Sequence, residues 1–163
     1  MKTRAESVLV ARSWIPTPYV LSGRIKHAGI DCGTLLSEYL IEIGAATEQQ
    51  MIEVGFYKEN GVSHSYSQDW FCHTDVQHYL RTMMKLSKLI AETVCRKGEK
   101  VRPGDVLLFG AVGSKNYNHG AIATRWPFGI HAQYDGVREV DLTSNIITAF
   151  RPMDIFSPFE SGA

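Results

Sequence analysis

The sequence carries no surplus of charge: 17 Lys and Arg stand against 17 Asp and Glu. A nucleic-acid binder shows a basic excess or a clustered basic stripe, so that class of partner is set aside. Long hydrophobic runs are also missing. Near the N-terminus, Val8-Leu9-Val10-Ala11 is interrupted by Arg12, too short for a signal-peptide core and far below the roughly 18 residues of a membrane span. The expectation is synthesis in the cytoplasm without a Sec signal and no membrane span. Cysteine is scarce: Cys32, Cys72 and Cys95 are odd in number and share no C-x-x-C spacing, which excludes a disulfide framework and a zinc ribbon. No internal repeat or low-complexity linker occurs.

What is present is a chain of 163 residues, 44% hydrophobic and 21% charged, the composition of one compact domain with a real core. Neither metal nor cofactor is expected. Six histidines are the groups whose protonation below about pH 6.5 would make the molecule basic.

Residues 4–13 read as a short amphipathic helix stopped by Ile15-Pro16-Thr17-Pro18-Tyr19, because proline lacks the backbone donor. From Cys32, the positions Leu35, Leu36, Tyr39, Leu40 and Ile43 recur at helical spacing, with Asp31 as N-cap and Gly44 at a left-handed C-cap. Residues 47–73 read as a surface excursion with little regular structure. Thr74 and Gln77 stand in capping-box spacing before an extra helix over 74–92. From residue 101 the period becomes strand-like, with candidate strands at 105–110, 119–125, 130–134, 137–141 and 147–151. Helices followed by a short-loop strand meander predict an α+β domain over 1–156, N-terminal helices packed on an antiparallel sheet of about five strands, with a loose tail at 157–163.

Cys32 falls at the start of a helix, where unsatisfied amides and the macrodipole favour thiolate over thiol; a lone cysteine, however, more often simply packs. His119 opens a strand after a polar loop, a place from which a ring can serve a thiol as general base. Strand alternation puts His119, Ala121 and Ala123 on one face, small enough there to admit a helix, which could be the one bearing Cys32. His131 lies in the next strand, where a third polar member would hold the base. A simple hairpin turning near Pro127 puts residue 131 opposite residue 123, roughly 13 Å from residue 119. A bulge, or a turn nearer Arg125, is needed before the two rings can touch.

Other polar residues have plainer readings. His73 and His78 lie about 140° apart round a helix and cannot share a metal from one face, and Cys72 adds no ligand set. His27 and His64 read as solvated loop residues, and Cys95 as packing at the edge of the second helix. Arg24 and Lys26 precede the nucleophile loop, where they could meet acidic substrate groups. Trp70-Phe71 and Trp126-Pro127-Phe128 read as loop anchors.

The ordered set Trp14-x-x-Thr17-Pro18-Tyr19, Gly29-x-Asp31-Cys32, Pro103-Gly104-Asp105-Val106-Leu107-Leu108-Phe109, His119-Gly120-Ala121-Ile122-Ala123 and Ile130-His131-Ala132 resembles the NlpC/P-sixty family of papain-like cysteine peptidases. That resemblance implies a hydrolase of peptidoglycan stem peptides, acting beside the D-γ-glutamyl residue, with Cys32 as nucleophile, His119 as base and His131 as third member. It also implies that Tyr19 and Asp31 line the cleft where family members recognise the free amine of the stem peptide. As a helix cap Asp31 would use one carboxylate oxygen and leave the other. The Cys32 amide is the expected oxyanion donor. The chain departs from the family in Gly33-Thr34 after the cysteine, where Ser-Gly is usual, and in the 87 positions that separate Cys32 from His119. Its opening and insertion resemble the phage and prophage tail subgroup, which implies tail proteins as partners and delivery with the virion to the cell wall. A secreted amidase effector of bacterial competition and a non-catalytic tail-tip component are the alternatives.

Overall fold

The computed structural model describes residues 1–61, 78–89, 94–96, 100–111, 117–144 and 150–159. Helix α1, Arg4–Arg12, begins in a reciprocal capping box in which Thr3 accepts the Glu6 amide and Glu6 reaches back to Thr3. A two-stranded ribbon follows, β1 at Arg24–Ile25 and β2 at Gly29–Ile30. Helix α2, Cys32–Glu42, is capped by Asp31 and leaves through Gly44 at φ +76, the left-handed exit expected of that glycine.

The expected irregular excursion is corrected at its start. Glu48–Val54 form a third helix, α3, with a Thr47/Gln50 capping box and Gly55 at φ 87 closing it. Seven residues are too few to display a helical period, so both caps had to be read instead. Helix α4 spans His78–Leu89; residues 62–77, which include Thr74, Trp70-Phe71, Cys72, His64 and His73, lie outside the described residues, as do 90–92.

The main sheet has six antiparallel strands: β3 at Val94–Arg96, β4 at Val106–Ala111, β5 at His119–Arg125, β6 at Phe128–Gln133, β7 at Gly136–Asp141 and β8 at Phe150–Ser157, in the order β3-β8-β4-β5-β6-β7. The added strand, β3, is a three-residue edge piece whose Cys95 pairs with Phe156; it is too short to show alternation, and it puts Cys95 in a strand rather than at a helix edge. The last strand runs later than 147–151 because its pairing with β4 shifts at Leu108/Phe109, a break that interrupts period-two patterning.

Each face of the sheet has its own core. Val106, Leu108, Ile122, Ile130 and Phe156 pack with Ala11, Leu35, Leu36, Tyr39 and Leu40 from the helices and with Trp14 from the turn after α1, while Leu107, Ala121, Ala123, Leu142 and Ile155 close the opposite face. Full burial of one such aliphatic side chain is worth about 1.5–3 kcal/mol, so the helical layer and the sheet depend on one another. The chain is also held past residue 157: Phe159 is 5% exposed, lies beside Gly104 and carries the Arg4 guanidinium 4.3 Å over its ring. The expected loose tail therefore does not begin at Ser157. No helix among the described residues is long and apolar enough to cross a membrane.

Candidate active site

Asp31 builds the start of α2. It is fully buried, and its Oδ1 accepts the Gly33 and Thr34 amides at 2.9 Å each and the Thr34 hydroxyl at 3.1 Å. Thr34 in turn accepts the Asp31 amide at 3.0 Å, so the departure from Ser-Gly to Gly33-Thr34 supplies the reciprocal half of a capping box. The second oxygen is not left over, contrary to expectation: Oδ2 accepts the Ser22 amide at 2.6 Å. The carboxylate thus ties the loop after Tyr19 to the helix that presents Cys32. Cys32 itself is partly exposed, in the first turn where helix amides and macrodipole favour a thiolate.

Close approach of α2 to β5 depends on Gly120. A Cβ there would lie 2.5 Å from Leu36 Cδ1 and 3.2 Å from the Leu107 carbonyl oxygen. The helix therefore packs on the Gly120/Ile122 face, and the small residues Ala121 and Ala123 serve the opposite core, which corrects the face expected to admit it. Leu36 is one turn beyond Cys32 on the same side of the helix, and Gly120 directly follows His119. Cys32 and His119 thus come from the two backbone segments that this contact brings together at the rim where β5 begins.

His119 and His131 are paired. Nε2 of His119 and Nδ1 of His131 are 2.9 Å apart, the rings meet edge to face at 5.2 Å and 82°, and the residues are 7% and 2% exposed. Burial depresses both rings below the ordinary imidazole range; His131 lowers His119 further, and at His131 the Asp135 carboxylate pulls up while Arg138 pushes down. Both stay neutral at pH 7, so they do not make the molecule basic just below pH 6.5.

Tyr19 stands on the loop that leads into the nucleophile, its backbone bridged to Ile30, two residues before Cys32. Burial, then the Cys32, Asp31 and Tyr134 charges, push its phenol upward, so it remains a neutral hydroxyl. Its ring packs against Tyr134, centroids 5.5 Å apart. The β6–β7 turn that carries Tyr134 is docked on the Tyr19 loop: Val137 donates to the Thr17 carbonyl at 2.8 Å, and Gly136, at φ 97, has no room for a Cβ against that oxygen.

Two further residues escaped sequence reading. Tyr134 reads as the end of the strand expected over 130–134, whereas it stands in the β6–β7 turn. Tyr117, two residues before His119, donates to Asp154 Oδ2 at 2.6 Å in a buried pair; nothing local marks Asp154, whose partner is 37 positions away. The cations of the nucleophile loop are occupied within the fold. Arg24 binds Glu38 at 2.7 Å and Glu48 at 2.9 Å, donates to the Gly61 carbonyl and lies 3.8 Å over the Tyr57 ring. Lys26 binds Glu42 at 2.7 Å and Ser13 at 2.9 Å. They clamp the loop and α3 to α2. His27 is exposed and faces the Pro16 carbonyl at 3.2 Å. Trp126 is an exposed turn residue, not an anchor.

A capped helix with cysteine in its first turn, packed on an antiparallel sheet that presents a buried histidine pair, is a papain-like α+β arrangement. Among solved structures, the NlpC/p60 domain of the peptidoglycan hydrolase SagA is similar over 96% of this chain and 99% of that one, with a TM-score of 0.56 and 19% sequence identity. The shared fold thus extends over the whole domain. No family model matches the sequence, and no curated protein does.

Proposed function

We propose that the protein is a cysteine peptidase that hydrolyses amide bonds in peptidoglycan stem peptides, beside the D-γ-glutamyl residue. The observation that carries this reading is the buried 2.9 Å contact between His119 and His131, supported by the approach of Gly120, the residue after His119, to Leu36 of the helix that begins at Cys32. For His119 Nδ1 to act as base, Nε2 carries the hydrogen and donates to His131 Nδ1, which fixes tautomer and ring orientation together. Neutral His119 takes the Cys32 proton, and the thiolate attacks the amide carbonyl. With the Gly33 and Thr34 amides committed to the cap, the Cys32 amide is the helix-start donor assigned to the oxyanion. Collapse of the tetrahedral intermediate passes the proton from His119 to the leaving amine. Water, deprotonated by His119, then cleaves the thioester and restores the thiol.

The hydrolase named in the structural comparison acts on peptidoglycan, which supports the substrate class. Resemblance of the opening and insertion to the tail subgroup supports delivery to the wall with a phage or prophage tail. Purified sacculi test the activity: wild type releases stem-peptide fragments, and Cys32→Ala and His119→Ala release none while both variants keep the wild-type circular dichroism. Equal release by wild type and Cys32→Ala would sink the reading.

A further inference from the structure

The described residues beside Cys32 include an aromatic surface with no part in the chemistry above. Tyr134 is 81% exposed, far more than a ring placed for stability, yet it is held in a fixed place. One side packs on Tyr19 at 5.5 Å with the planes inclined by 52°, and its turn is bonded to Thr17 through Val137. The backbone of Tyr19 is bridged to Ile30, two residues before Cys32, so this wall stands on the loop that leads into the nucleophile. Its rim is polar: Asp135 and Arg138 form an ion pair at 2.9 Å, both more than half exposed.

A flat, open ring edged by charged groups suits a pyranose, whose C–H face lies on the aromatic surface while its hydroxyls reach the rim. An aliphatic side chain calls for an enclosed apolar pocket instead. Asp31 points the same way. Recognition of a free terminal ammonium asks for a carboxylate, but Asp31 is fully buried and its two oxygens accept Gly33, Thr34 and Ser22 amides. An N-terminus acylated by the lactyl group of muramic acid makes no such demand.

We infer that Tyr134, backed by Tyr19, stacks on the muramic acid sugar, so that the enzyme takes stem peptides still attached to glycan. This rests on the peptidase reading, and the test separates the two. Cys32→Ala protein is titrated calorimetrically with an N-acetylmuramoyl stem peptide and with the same peptide bearing a free N-terminus. The muramoyl form is expected to bind about tenfold tighter, the scale of one good aromatic contact. Tyr134→Ala in that background removes most of the difference, and Tyr134→Phe retains it. Equal affinities, tighter binding of the free amine, or a Tyr134→Ala loss equal for both peptides overturns the inference; the last result marks Tyr134 as a side-chain contact. Cleavage by the wild-type protein is read separately: binding preference without turnover refutes the peptidase and leaves the wall, whereas turnover without preference does the reverse.

Discussion

Replacing Asp31 tests whether its carboxylate serves the fold or the substrate. Asp31→Ala deprives the Gly33, Thr34 and Ser22 amides of their acceptor at once. Loss of an N-cap costs about 0.5–2 kcal/mol, and each hydrogen bond to a charged group contributes about 1.5–3 kcal/mol. These terms overlap, since water enters the opened first turn, and a net loss of about 3 kcal/mol is expected. For a domain of this size that lowers Tm by about 6–12 °C.

Asp31→Ser keeps a side-chain oxygen for the cap and gives up the Ser22 tether, so it falls between wild type and Asp31→Ala, near 1–2 kcal/mol. Asp31→Asn keeps Oδ1 but turns an amide donor toward the Ser22 N–H, with a similar cost. The assay is urea denaturation beside kinetics on paired peptides, one with a free and one with an acylated N-terminus. A positioning residue lowers kcat for both peptides in parallel. If Asp31→Asn unfolds within 0.5 kcal/mol of wild type and raises KM for the free-amine peptide alone, the carboxylate is a substrate contact and the reasoning fails.

Gly120→Ala drives a methyl to 2.5 Å from Leu36 Cδ1 and is expected to cost about 1–3 kcal/mol; Leu36→Val in the same chain recovers part of it, and additive losses in the double-mutant cycle would show that the two positions do not meet. His131→Ala removes the partner of His119 and lowers kcat by about 10² or more with little change in KM, whereas an unchanged kcat removes His131 from the mechanism. Acid weakens the fold in a particular window, because both rings titrate lower in the folded chain than the unfolded value near 6.5. Below that pH the unfolded chain binds more protons, so stability falls by about 1.4 kcal/mol per pH unit for each ring, and His131→Gln removes one ring's share; urea midpoints that are flat between pH 6 and 5 contradict it.

The parts of the fold legible in the sequence are those whose signals are local. Asp31 and Gly44 bracket α2, and its apolar positions repeat for three turns. Asp135-Gly136 marks the β6–β7 turn. The seven residues of α3 and three of β3 carry too little periodicity to stand out, and the shift at Leu108/Phe109 hides where β8 lies. The site divides the same way. Cys32 and His119 are visible from element termini, but occupation of Arg24 by Glu38 and Glu48 depends on α3, and the Tyr19–Tyr134 packing depends on a turn folding back more than a hundred positions later.

The contact between His119 and His131 is decided by one extra residue. The turn at Trp126-Pro127 pairs Arg125 with Phe128, and continuing that register would set His131 opposite Ile122, on the face of the helical core and away from His119. Instead Ala123 pairs with Gly129 and Ile122 with Ile130, leaving Thr124 as a bulge and bringing His131 opposite Ala121, diagonal to His119 on one face. At that diagonal, Cα atoms are about 7–8 Å apart and two imidazoles span the gap. The bulge is secured from below: the Thr124 hydroxyl donates to Glu139 at 2.5 Å, and Glu139 receives Arg12 of α1 at 2.8 and 2.9 Å. Two-residue alternation encodes which face a side chain takes only after the register is known. Here the register is set by Thr124 together with an ion pair between the first helix and the seventh strand, so the pairing of the two histidines is a tertiary property that neither strand specifies alone.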